Sequence, residues 1–248
     1  MNNEQNGSRI ILALDVDTVE KAVELMDAVQ GQVGMVKIGI ELINAQIAGE
    51  VAEEAASRNL GVFWDAKLDD IPTSVGKATT VVAGRKGIRM INVHGSAGIE
   101  AVRAVVANQG GMLTLVVTVL TSRDTESTEL DFGASRNAKV LHFARMALLA
   151  DADGIICSPK ELSFLNKYPE TRELIKVVPG TRSPGADAHD QKNVETQEAT
   201  ILNGADWLVI GREITEAKAP STSSMAATGL NIRIAQALAE REKGAVAK

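Results

Sequence analysis

Val62-Phe63-Trp64-Asp65-Ala66-Lys67-Leu68-Asp69-Asp70-Ile71-Pro72 opens as a run of β-branched and aromatic residues and closes in charges and a proline. Alternate side chains of a strand share a face, so Asp65 and Lys67 point the same way, with Phe63 deeper on that face and small Ala66 between them. Pro72 lacks a backbone donor and ends the strand. Charges within an apolar strand are costly unless paired, so this spacing predicts an ion pair at the mouth of an apolar core. Two earlier runs end the same way, in Val36-Lys37-Ile38-Gly39 and Ala13-Leu14-Asp15. A single charged strand end reads equally well as a rim salt bridge. Three neighbouring runs charged at the same end favour a functional site.

The pattern extends along the chain. About eight β-prone runs recur, at residues 9–16, 35–40, 61–67, 90–95, 113–120, 154–158, 175–179 and 207–214, most of them separated by helix-sized intervals of roughly 15 residues or more. Between the first two, Ala22, Val23, Leu25 and Met26 form one apolar stripe over residues 19–29, with Thr18 as N-cap. Residues 99–108, 138–150 and 230–243 repeat that helical pattern. Strand and helix alternating over 248 residues predict an α/β fold, a (β/α)8 TIM barrel forming one catalytic domain over residues 1–248, with a short polar segment at 1–8. An open doubly wound sheet is the other candidate, but the first strand-to-helix turn lacks Gly-x-Gly-x-x-Gly. Hydrophobic residues make up 45% and aromatics only 3%, so the core must be Val, Ile, Leu and Ala, which suits a buried parallel sheet.

The net charge of -6 argues against general adhesion to nucleic acid or an anionic membrane, while leaving room for a few basic groups to hold a small anion. No apolar run approaches the roughly 18 residues of a membrane span, and the polar start lacks a targeting core. The lone cysteine, Cys157, excludes an internal disulfide; it sits in Gly154-Ile155-Ile156-Cys157, as a small buried filler would. These features predict a cytoplasmic protein without a nucleic-acid or membrane partner.

Two long loops, 121–135 and 180–195, follow the carboxyl ends of predicted strands, the face on which barrel active sites form. The seventh run enters Pro179-Gly180-Thr181-Arg182 and the eighth enters Ile210-Gly211-Arg212. Barrels often grip phosphate with the loops after these two strands; Gly211 permits close backbone approach, and an arginine fork matches a phosphate. Of the histidines, His94 ends the fourth run and fits a site wall or a rim hydrogen bond equally well, while His142 reads as structural and His189 as solvated. No two of them have metal-ligand spacing, so no metal is expected.

Asp65-Ala66-Lys67-Leu68-Asp69-Asp70-Ile71-Pro72 resembles the Asp-x-Lys-x-x-Asp-Ile-Pro signature of the orotidine 5′-monophosphate decarboxylase family. The similarity covers nearly the whole chain, in order: Leu12-Ala13-Leu14-Asp15, Val36-Lys37-Ile38-Gly39, Val93-His94-Gly95, Val117-Thr118-Val119-Leu120-Thr121-Ser122, Pro179-Gly180-Thr181-Arg182, Asp190-Gln191 and Ile210-Gly211-Arg212. The resemblance implies a cofactor-independent carboxy-lyase of UMP biosynthesis, built as a homodimer with shared active sites. It implies a catalytic network of Lys37, Asp65, Lys67 and Asp70, in which Lys67 donates the proton and Asp70 reaches into the neighbouring subunit's site. It assigns the ribose to Asp15, with Ser74 available from the other subunit, the pyrimidine to Thr121, and the phosphate to Arg182, Gln191, Gly211 and Arg212. The loop between Arg182 and Gln191 is expected to close on the phosphate.

Some residues depart from the family's usual bacterial pattern. Thr73-Ser74 replaces Asn-Thr, Asp69 replaces a frequent histidine, and Asn193 and Gln197 replace a common arginine and proline. Magnesium-dependent hexulose-phosphate synthases and ketogulonate-phosphate decarboxylases resemble the chain through a similar motif, but they carry an acidic residue near the end of strand two. Lys37 stands there in this chain, and an ammonium repels Mg²⁺. A silent barrel that senses a nucleotide phosphate would need only Arg182 and Arg212; keeping both lysines and both aspartates argues for catalysis.

Overall fold

The computed structural model describes residues 8–183, 195–217 and 222–246. From the N-terminus the order is β1 (Ile10–Leu14), α1 (Val19–Ala28), β2 (Met35–Ile38), α2 (Ile40–Asn44), α3 (Ala48–Ser57), β3 (Gly61–Leu68) and α4 (Pro72–Ala83). Then come β4 (Ile88–His94), α5 (Ile99–Ala107), β5 (Leu113–Val117), α6 (Thr125–Phe132), α7 (Arg136–Leu149), β6 (Gly154–Ile156) and α8 (Pro159–Leu165). The chain continues through β7 (Ile175–Pro179), α9 (Gln197–Leu202), β8 (Trp207–Ile210), α10 (Arg212–Thr215) and α11 (Ser223–Val246). The strands pair in parallel from β1 round to β8, and β8 pairs again with β1. The closed (β/α)8 barrel expected from the alternation is therefore present. No described helix is long and apolar enough to cross a membrane.

Strand periodicity divides the core in two. Ile10, Leu12 and Leu14 of β1 face the helical shell, where they join the large cluster that includes Val36, Val62, Ile91 and Val116. Ile11 faces the barrel axis with Met35, Phe63, Met90, Leu115, Val117, Ile156 and Val177. Two residues further along the first four strands, the inward positions are Ala13, Lys37, Asp65 and Asn92. One more step of two gives Asp15, Gly39, Lys67 and His94. The barrel interior thus turns from apolar to ionic within one pleat, at its carboxyl end.

Several boundaries differ from the sequence reading, each for a local reason. Residues 121–135 contain the helix α6, which offers no apolar stripe to read (Thr125-Glu126-Ser127-Thr128-Glu129-Leu130-Asp131-Phe132). It is set by its ends: Asp124 and Ser127 form a reciprocal capping box, and Gly133 closes it in the left-handed conformation at φ 63°. The second run stops at Ile38 because Gly39 is the N-cap of α2, and the eighth stops at Ile210 because α10 begins at Arg212. The last helix is longer than its apolar pattern, beginning at Ser223. Cys157 is fully buried, and burial pushes its thiol pKa well above the usual value, as an inert filler requires.

Candidate active site

Asp65 is the centre of the ionic layer. Its side chain is 8% exposed, yet three donors reach it. Lys67 Nζ lies 2.7 and 2.8 Å from its two oxygens. Asn92 Nδ2 donates to Oδ1 at 2.6 Å, and Lys37 Nζ lies 3.4 Å from Oδ2. A buried carboxylate without such partners would be strongly disfavoured. Lys37 also donates to Asp15 Oδ1 at 3.1 Å. Burial is the largest influence on Lys37 and lowers its pKa. The attractions of Asp65 and Asp15, with their hydrogen bonds, outweigh it and hold the pKa above the ordinary lysine value. Gly39 leaves room beside this pair: a Cβ there would stand 2.8 Å from Lys37 Nζ, so the tip of the lysine would have to shift.

Lys67 reaches Asp65 through a backbone that strands rarely adopt. Its φ is 49°, and the β3–β4 register shifts between Trp64 and Leu68. A non-glycine residue in the left-handed region costs about 1–2 kcal/mol. The strain is met by Asn92, whose Oδ1 accepts the Lys67 backbone N–H at 2.7 Å while its amide holds Asp65. Asn92 is fully buried and fixes both members of the pair. Sequence reasoning passed over it, although counting two residues on from inward Met90 puts it at the same level.

These groups line a cavity of about 310 Å³ at the carboxyl face of the barrel, within the usual range for a small-ligand site. Asp15, Lys37, Asp65 and Lys67 line it together with Gly180, Arg182, Gly211 and Arg212. Phe63, Val117 and Ile156 make an apolar floor, and Thr121 joins the wall. Arg182 is anchored through its backbone N–H to the Glu195 carbonyl at 3.0 Å and through its guanidinium to the Thr181 carbonyl at 2.7 Å. The chain reaches it through Gly180 at φ 82°.

The loop carrying Thr121 is held by a buried ion pair that the sequence did not reveal. Arg136 Nε donates to Glu161 Oε1 at 2.6 Å, and its terminal nitrogens meet the carbonyls of Arg123 at 2.7 Å and Leu120 at 3.4 Å. Glu161 Oε2 accepts the Ser158 N–H at 2.7 Å. Burial raises the Glu161 pKa above the usual carboxylate value, with Arg136 acting against it.

Asp70 and Ser74 do not join the cavity within one chain. They sit in an exposed stretch, residues 69–74, with Ile71 65% exposed. Asp69 has a defined partner: Ser96 Oγ donates to its Oδ2 at 2.8 Å and lies 2.8 Å from His94 Nδ1. A hydroxyl has one proton and a carboxylate can only accept, so His94 Nδ1–H is the donor to Ser96. His94 therefore makes a rim hydrogen bond, and burial lowers its pKa, with Asp69 opposing. Gln191, His189 and Asn193 lie outside the described residues.

A closed parallel barrel with this ionic layer at its carboxyl face defines a (β/α)8-barrel enzyme. More narrowly, the chain belongs to the Orotidine 5'-phosphate decarboxylase / HUMPS family, whose profile matches residues 8–227. It is 37% identical over 245 residues to the orotidine 5'-phosphate decarboxylase of Heliobacterium modesticaldum, covering 94% of this chain and 98% of that one. It is 39% identical over 227 residues to the enzyme of the same name from Anaeromyxobacter dehalogenans, covering 90% and 98%. Among solved structures, the Lactobacillus acidophilus orotidine 5'-phosphate decarboxylase is similar, with a TM-score of 0.76, 26% identity, and coverage of 92% and 99%.

The backbone at Lys67 makes a comparison of two variants informative. Lys67→Gly should be more stable than Lys67→Ala by about 1 kcal/mol in denaturant unfolding, because glycine accepts positive φ without strain. The reverse order, as at an ordinary strand position, would mean that Lys67 is not strained.

Proposed function

We propose that this chain decarboxylates orotidine 5′-monophosphate to uridine 5′-monophosphate, a step of pyrimidine nucleotide biosynthesis. The observation that carries the reading is the Lys67 ammonium set against both oxygens of buried Asp65, with Lys37 behind and an apolar floor below. Breaking the bond between C6 and the carboxylate releases CO2 and leaves the electron pair on C6. The orotate ring offers no conventional electron sink, so a site without a cofactor must stabilise that charge electrostatically. Lys67 is the nearby cation; it then gives C6 its proton and recovers one from solvent. Asp65 crowds the departing carboxylate until CO2 leaves.

The remaining roles follow the cavity walls. Asp15 takes the ribose, Thr121 the pyrimidine, and Arg182, Gln191, Gly211 and Arg212 the phosphate. Asp70 and Ser74, exposed on one chain, serve the site of a second copy in a homodimer. A magnesium-dependent reaction at this site is disfavoured by Lys37, whose ammonium occupies the mouth of the ionic layer beside Asp15 and Asp65. The free, buried thiol of Cys157 suits a cytoplasmic enzyme.

Purified protein should consume orotidine 5′-monophosphate, followed by absorbance, at the same rate with and without chelator. Lys67→Ala should lower turnover by at least about 100-fold with nucleotide binding largely retained. Arg212→Ala should raise KM by about tenfold or more. Near-normal turnover by the Lys67 variant would sink the assignment.

Sharing of the site is tested by mixing subunits. Asp70→Ala and Lys67→Ala proteins, each impaired alone, should regain activity when recombined, since one hybrid site keeps both native groups. No recovery despite demonstrated subunit exchange would place Asp70 outside the neighbouring site.

A further inference from the structure

Behind the two arginines of the cavity lies a polar network that joins four segments of chain. Glu213 Oε2 accepts from Gln197 Nε2 at 2.8 Å, and Glu213 Oε1 is hydrogen-bonded to Ser183 Oγ. Arg233 Nη2 approaches Ser183 Oγ at 2.6 Å, and Arg233 Nε lies 2.7 Å from Glu198 Oε1. The donor directions are forced. Arginine only donates and a carboxylate only accepts, so the single Ser183 proton goes to Glu213 and the Ser183 oxygen receives Arg233.

The placement of this network is specific. Ser183 directly follows Arg182, and Glu213 directly follows Arg212. Gln197 begins α9, two residues beyond Glu195, whose carbonyl holds the Arg182 N–H. Gln197 is fully buried, so its amide is costly to keep there unless satisfied.

We propose that Gln197, Ser183 and Glu213 are positioning residues for phosphate recognition, fixing the backbone from which Arg182 and Arg212 project. The proposal deepens the functional reading above and rests on its assignment of phosphate to these arginines. A bidentate arginine contact tolerates errors of only about 0.5 Å, so a network that pins the residue next to each arginine acts on affinity without touching the ligand.

The test measures inorganic phosphate binding by calorimetry, alongside kcat and KM for orotidine 5′-monophosphate. Gln197→Met keeps the side-chain length but removes the donor to Glu213. It should weaken phosphate binding and raise KM by about tenfold each, with a much smaller effect on kcat. In an Arg212→Ala background the same change should add less than about twofold, because its effect passes through that arginine. Ser183→Ala provides the same reading through Arg182 should the Gln197 variant fail to fold. The proposal is overturned if both folded variants bind phosphate within about twofold of the parent, or if their full effects persist without the corresponding arginine. A parent protein that binds phosphate but never turns over the nucleotide would defeat the decarboxylase reading alone, and the variants' phosphate affinities would still decide the positioning role.

Discussion

A carboxylate withdrawn from water has to be met by donors, and the carbonyl-facing end of this barrel is organised around meeting one. Asp65 accepts from Lys67, Lys37 and Asn92 at once. Lys37 in turn binds Asp15, and Asn92 in turn holds the strained backbone of Lys67. Removing the carboxylate would leave two ammonium groups close together over an apolar floor, with Lys37 still paired to Asp15 but Lys67 without the carboxylate that holds it. The geometry of the ionic layer and local stability therefore share one residue, which is how strain at Lys67 can persist.

The barrel supplies the other half of the arrangement. Residues Ile11, Met35, Phe63 and Met90 fill its axis, so the next inward layer cannot sink and remains at the mouth. Arg182, in the loop after β7, and Arg212, at the start of α10, line the same cavity. Arg136 and Glu161 fix the loop after β5 that carries Thr121. In the proposed reaction the arginines hold the phosphate while the ring is acted on beside Lys67, the arrangement in which distant binding energy can serve the reacting bond.

The ionic layer was legible because strand alternation is a local rule: Asp65 and Lys67 two apart, with Lys37 and Asp15 at matching strand ends. The residues that support it were harder to read. Asn92 sits within the apolar run Met90-Ile91-Asn92-Val93, where it reads as an ordinary strand residue until β4 is paired with β3. Glu161 and Arg136 lie 25 residues apart, and Gln197 and Glu213 lie 16 apart, so neither pair leaves a spacing signature. Helix α6 was hidden because its stability comes from caps rather than an apolar face. The positive φ of Lys67 was hidden as well, since nothing but tertiary contact would hold a lysine there.

The most direct test of this account is the turnover of orotidine 5′-monophosphate by Asp65→Asn, with released CO2 counted against product. Asparagine preserves shape but removes the charge that Lys37 and Lys67 share. The account predicts a fall in kcat of at least about 100-fold in a folded protein that still binds the phosphate. An Asp65→Asn protein that turns over like its parent would contradict it.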